Sequence, residues 1–118
     1  MTIARLLPLH VHGALEATLA VIIMATAFVL AFSPAALIAS ISLGALMLAV
    51  ALATHADEHG GMAISTHAAF DVIFALALGS AAIASAVIGE VAAALLLGSS
   101  AVALTLLTTL TRYSPRAA

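Results

Sequence analysis

Thr54–Asp71 reads THADEHGGMAISTHAAFD, and it divides the chain. The stretch carries three of the five histidines and three of the five acids, with strongly apolar sequence on both sides. Its last part, His67-x-x-x-Asp71, repeats the His12-x-x-x-Glu16 spacing near the N-terminus. Read this way, the stretch is a hinge between two copies of one unit, each opened by a histidine and an acid.

Composition sets the solvent. Of 118 residues, 65% are hydrophobic and 7% charged, and there is no lysine, asparagine or glutamine. A soluble domain carries about 25% charged residues to keep its surface wet, so this chain is expected to lie in lipid. The absence of cysteine excludes thiolate ligands and cysteine nucleophiles. Three arginines and a net charge of −2 make no basic patch, so nucleic acid is excluded as a partner.

Outward from the hinge, four apolar runs are separated by turn signals. The first, Ala17–Phe32, crosses a hydrocarbon core of about 30 Å once it is extended back to His12. Arg5 before an apolar run is also the pattern of a signal peptide, but Glu16 and the three later spans argue against cleavage. Ser33-Pro34 supplies an N-cap and a first helical residue, so a second helix follows at once. It is predicted over 35–54, with a last turn through His59 and a stop at Gly60-Gly61. Ser65 or Thr66 is the expected cap of a third helix, from about His67 to Ile88. Gly89-Glu90 is the second tight turn, and a fourth helix runs to about Thr111. The fold class is therefore all-α, a four-transmembrane-helix bundle of two parallel helical-hairpin repeats. One membrane domain covers 1–118, with the repeats at about 8–59 and 63–113.

Arg5, Arg112 and Arg116 fall on the face shared by both termini and the hinge, and the two short hairpins carry no basic residue. The positive-inside rule then puts both termini in the cytoplasm. The halves align at an interval of 55 for His12/His67 and Glu16/Asp71, and of 54 for Leu43-Gly44/Leu97-Gly98.

These entries, with Phe32-Ser33-Pro34 and an inner glycine in each second helix, resemble the SPW-repeat family of small bacterial membrane proteins. Ala35 stands where that pattern has tryptophan, and the second copy reads Val87-Ile88-Gly89. The resemblance implies tandem two-helix units in a bacterial plasma membrane and leaves the function open.

Small residues let helices pack in lipid, where apolar burial gives no drive. Ser40-x-x-x-Gly44, Ala75-x-x-x-Gly79 and Ala94-x-x-x-Gly98 are the candidate contacts. The hydroxyls of Thr18, Thr26, Ser80, Ser85, Ser99 and Ser100 are expected to bond back to their own helices. No charge lies near the middle of a span, which counts against an ion carrier.

Three i,i+4 pairs, His12/Glu16, His55/His59 and His67/Asp71, fall on one membrane face. That spacing aims two side chains at one point, and imidazole with carboxylate suits a divalent transition metal. His55, His59, His67, Asp71, His12 and Glu16 are the metal candidates. Structural pairing, haem between two histidines and pH sensing are the competing readings. His55–His59 reads HADEH, unlike the HExxH of zinc proteases. No nucleophile–base set or phosphate loop is visible, so no catalytic residue and no enzyme is expected, and no cofactor is required. The expected role is a non-catalytic accessory subunit or homo-oligomer, with metal handling as the alternative. Glu16 and Asp71 are expected at equivalent depths, facing inward.

Overall fold

The computed structural model describes residues 7–55 and 64–111, without the side chains of 54 and 55. The four helices are α1 (Leu9–Val29), α2 (Pro34–His55), α3 (Ile64–Val87) and α4 (Val91–Leu110). Each is long and apolar enough to cross a membrane, as an integral membrane protein requires. There is no strand among the described residues beyond a single bridge between Leu7 and Thr111.

Local chemistry sets the helix ends. Pro34 opens α2, and the Ser33 hydroxyl caps it by accepting from the Ala36 N–H at 3.3 Å. Gly89 turns the second hairpin at φ 81°, a conformation costly for other residues. The first hairpin achieves its reversal with Ala31 at φ 51°. Glu90 precedes α4 as its N-cap residue without a side-chain cap. Its carboxylate instead accepts a hydrogen bond from Ser33, so the two hairpin turns are tied across the bundle. Two starts differ from expectation. α1 begins at Leu9, with Pro8 before it, and α3 begins at Ile64, so Ser65 and Thr66 lie inside its first turn. The expected last turn through His59 lies outside the described residues.

Packing is closest within each hairpin, α1 on α2 and α3 on α4, with lesser contacts between α2 and α3 and between α1 and α4. α1 and α3 thus face each other across the bundle axis. Ile23, Met47, Leu78, Leu97 and Leu104 are wholly buried between the helices, while Ile38, Leu76, Ile83, Leu95 and Val102 point outward. An apolar exterior around an apolar core is what lipid requires on both counts.

Buried positions recur between the halves. In the first helices of the hairpins, His12, Glu16, Ile23 and Ala27 correspond to His67, Asp71, Leu78 and Ala82, at an interval of 55. In the second helices, Ala36, Ser40 and Met47 correspond to Ala93, Leu97 and Leu104, at an interval of 57. The same interval of 57 separates Pro34 from Val91, the first residues of α2 and α4. Aligning Leu43-Gly44 on Leu97-Gly98 is therefore off by three residues, because the two glycines do different work. A Cβ on Gly44 would stand 2.5 Å from Met24 Cγ and 3.1 Å from the Ala20 carbonyl oxygen, whereas one on Gly98 would make an ordinary 3.6 Å contact with Ala82. Gly79 has nothing within 4 Å of the equivalent position, so the Ala75-x-x-x-Gly79 pattern makes no close helix contact there.

That contrast is testable. Gly44→Ala is expected to lower the Tm in detergent, since the Ala20 carbonyl is backbone and cannot step aside. Gly79→Ala is expected to keep or raise it, since alanine adds up to about 1 kcal/mol of helix propensity to the stability.

Candidate functional site

The two histidine–acid pairs meet. His12 is the fourth residue of α1 and Glu16 the eighth, and His67 and Asp71 hold the same places in α3. At 1.5 Å per residue, each acid lies about 10 Å along its helix, two turns in and roughly a third of the way across. It is therefore deeper than the one turn expected from a start at His12. All four side chains are fully buried. The expected equivalence and inward orientation of Glu16 and Asp71 both hold.

The contacts cross between helices. His12 Nε2 lies 2.9 Å from Asp71 Oδ2, and His67 Nε2 lies 3.1 Å from Glu16 Oε1. Within a helix, His67 Nε2 is 3.1 Å from Asp71 Oδ2, while His12 Nε2 is 3.9 Å from Glu16 Oε1. The imidazole rings meet edge to face, their centroids 5.4 Å apart. One donor atom from each residue can be chosen so that all four lie within 4.8 Å of one another. Each half thus supplies one nitrogen and one carboxylate to a single point.

A hydrogen-bond chain fixes how His12 presents itself. Thr111 Oγ1 lies 2.7 Å from His12 Nδ1 and also donates to the Leu107 carbonyl. A hydroxyl has one proton, and here it goes to that carbonyl. The proton in the Thr111 contact therefore belongs to His12 Nδ1. His12 then turns Nε2 toward the carboxylates, 2.9 Å from Asp71 Oδ2.

Thr111 holds its place because α4 ends there: Leu7 N–H donates to the Leu110 carbonyl at 3.0 Å, binding the start of the chain to the end of α4. Sequence reasoning missed Thr111 as a partner of the site. The available signal was that it closes an apolar helix on the face where the histidines lie. Of the six candidate metal ligands, the structure brings together His12, Glu16, His67 and Asp71. The His55 side chain and all of His59 lie outside the described residues. Thr18, Ser99 and Ser100 bond back to carbonyls of their own helices, as expected.

The fold and the site together define a class: a bundle of four membrane-spanning-type helices with a buried two-histidine, two-carboxylate centre joining its halves. No protein-family model, curated protein or solved structure matches the chain.

A double-mutant cycle checks the crossed pairing. Glu16→Ala and His67→Ala, made singly and together, are expected to show a coupling of about 0.5–3 kcal/mol in unfolding stability. The same cycle on Glu90, the N-cap residue of α4, and His67, near the start of α3, is expected to give none.

Proposed function

We propose that this chain is a small, non-catalytic membrane protein that holds one divalent first-row transition ion between α1 and α3. The observation that carries the reading is the orientation of His12, whose Nδ1 lies 2.7 Å from the Thr111 hydroxyl while Nε2 faces the carboxylates. Metal-bound histidines are typically held this way, the far nitrogen donating to a second partner that fixes ring and tautomer.

Distances and charge support the same reading. Ligands about 2.0–2.2 Å from a tetrahedral ion stand about 3.3–3.6 Å from one another. The four histidine–carboxylate separations run from 2.9 to 3.9 Å and bracket that span, and all four donors lie within 4.8 Å of one another. Two carboxylates, two neutral imidazoles and one divalent cation sum to zero charge, which matters where an unpaired charge in lipid costs several kcal/mol. Separate ion pairs would also be neutral, but they explain the geometry less well. The contacts converge on one oxygen of each carboxylate, and Glu16 Oε2 has no hydrogen-bond partner among the described residues.

Four protein donors with no reserved open position make a structural site, as distinct from a catalytic one. The ion would act as a clamp between the two hairpins. The wider role is then one of helix packing, as an accessory subunit or a homo-oligomer. The positive-inside rule applied to Arg5, Arg112 and Arg116 supports a cytoplasmic-side position for the site.

Protein purified without a histidine tag or chelator and analysed by plasma mass spectrometry is expected to hold about one transition ion per chain. His12→Ala and Asp71→Ala are expected to abolish it, and Thr111→Val to weaken affinity by about 10–100-fold. Metal at background level, together with an 15N spectrum showing His12 protonated on both nitrogens, would replace the ion with a pair of salt bridges.

A further inference from the structure

The two hairpin turns, at the end of the bundle away from the four-donor centre, are built almost wholly from apolar side chains. Val29 and Val87 are the most exposed large hydrophobic residues among those described, at 81% and 80%, and Phe28, Leu30, Ile88 and Val91 are exposed beside them. Within 29–34 and 87–91 the polar side chains are Ser33 and Glu90, and neither turn holds a lysine, arginine or histidine. We propose that this end is a lipid-immersed tip: both turns stop within the far leaflet, beneath its headgroups, and hydrocarbon covers the surface they form. The inference does not need a bound ion, because no residue of the centre lies there.

The first support is how the turns satisfy their polar groups. Non-helical backbone can lie at membrane depth only where it finds partners inside the protein, since hydrocarbon offers none. In the first turn the amides of Leu30, Ala31 and Phe32 donate to the carbonyls of Thr26, Phe28 and Ala27, at 2.9 to 3.1 Å. In the second, the amides of Ile88, Gly89, Glu90 and Val91 donate to the carbonyls of Ala84, Ala86, Ser85 and Gly89, at 2.8 to 3.2 Å. Both turns thereby form the same helix-ending Schellman motif, around Ala31 in one and Gly89 in the other. The two polar side chains close on each other, the Ser33 hydroxyl donating to the Glu90 carboxylate. A turn in water leaves such groups to the solvent, whereas here the protein serves them itself.

The second support is length. His10, Ser65 and Thr109 are exposed polar residues at the other end of the bundle. At 1.5 Å per residue, the helices run from them to Val29, Val87 and Val91 over about 29, 33 and 27 Å. A hydrocarbon core is about 30 Å thick, and the headgroup layer adds about 5–8 Å on each side. With the polar residues at the near boundary, the turns reach the far boundary and leave the second headgroup layer uncrossed. A typical helix tilt of about 20° shortens the reach further.

The occupant follows from continuity. Ile83 and Leu95 belong to the outward apolar wall, and they lie one helical turn from Val87 and Val91, on the same faces. The tip is therefore the lipid-facing wall carried round a corner. Polar access to the bundle is then from one side only, the side of the four-donor centre.

The chain has no cysteine and no tryptophan, so single reporters can be placed in it directly. Leu30→Cys, Ile88→Cys and Ser65→Cys, each spin-labelled in phosphatidylcholine nanodiscs, are compared by two collision partners. Oxygen concentrates in hydrocarbon, and chromium oxalate stays in water. Labels at Leu30→Cys and Ile88→Cys are expected to favour oxygen, and the label at Ser65→Cys to favour chromium oxalate. A preference for chromium oxalate at either turn would put the turns in water and overturn the proposal. Low collision with both partners at the turns would mean that a second copy of the chain covers the tip, which overturns it equally. Should a cysteine variant fail to fold, the fluorescence of Phe28→Trp decides. Quenching by lipids brominated on their chains, with none by aqueous iodide, is the expected result, and the opposite pattern would sink the proposal.

Discussion

Four ionisable side chains buried in an apolar bundle leave little freedom in how the helices are placed. Glu16 and Asp71 lie two turns inside α1 and α3, where a carboxylate turned to lipid would be expensive. Each instead meets the histidine of the opposite helix, at 2.9 and 3.1 Å. This crossed pairing fixes the rotation of α1 and α3 about their axes and their relative height. In water, burial of apolar surface would do most of that work. In lipid it gives no drive, so polar complementarity and close contacts such as Gly44 against α1 are left to define the arrangement.

The centre is also tied at its edges. Thr111 links His12 to the end of α4, and the Leu7–Leu110 hydrogen bond holds the start of the chain beside it. At the other end of the bundle, Ser33 and Glu90 join the two hairpin turns. Polar ties thus sit at both ends, and the middle is filled by Ile23, Met47, Leu78, Leu97 and Leu104. Ser40 is also buried in that middle, and its hydroxyl has no partner among the described residues.

Much of this was legible in the sequence, for identifiable reasons. Four apolar runs with Ser33-Pro34 and Gly89 between them give four helices and two tight turns, since serine, proline and glycine each act locally. The i,i+4 spacing of His12/Glu16 and His67/Asp71 gave the members of the centre and their inward face. It could not give the partners. Spacing along a helix describes neighbours on that helix, whereas the closest contact of His12 is with Asp71 on another. The start of α3 at Ile64 was hidden because Ser65 and Thr66 look like caps but sit in the first turn. The interval of 57 between α2 and α4 was hidden by composition. With alanine, glycine and serine so frequent, several registers look alike until burial separates them.

The crossed pairing also constrains how the protein is made. During synthesis α1 and α2 emerge first, carrying His12 and Glu16 but neither of their partners, which belong to α3. The first hairpin must therefore enter the membrane with its acid and histidine matched only to each other, or wait at its surface until α3 arrives. The second hairpin arrives with the complementary pair, and its docking satisfies both at once. Assembly is thus completed by the second half of the chain acting on the first, as a template acts on its copy.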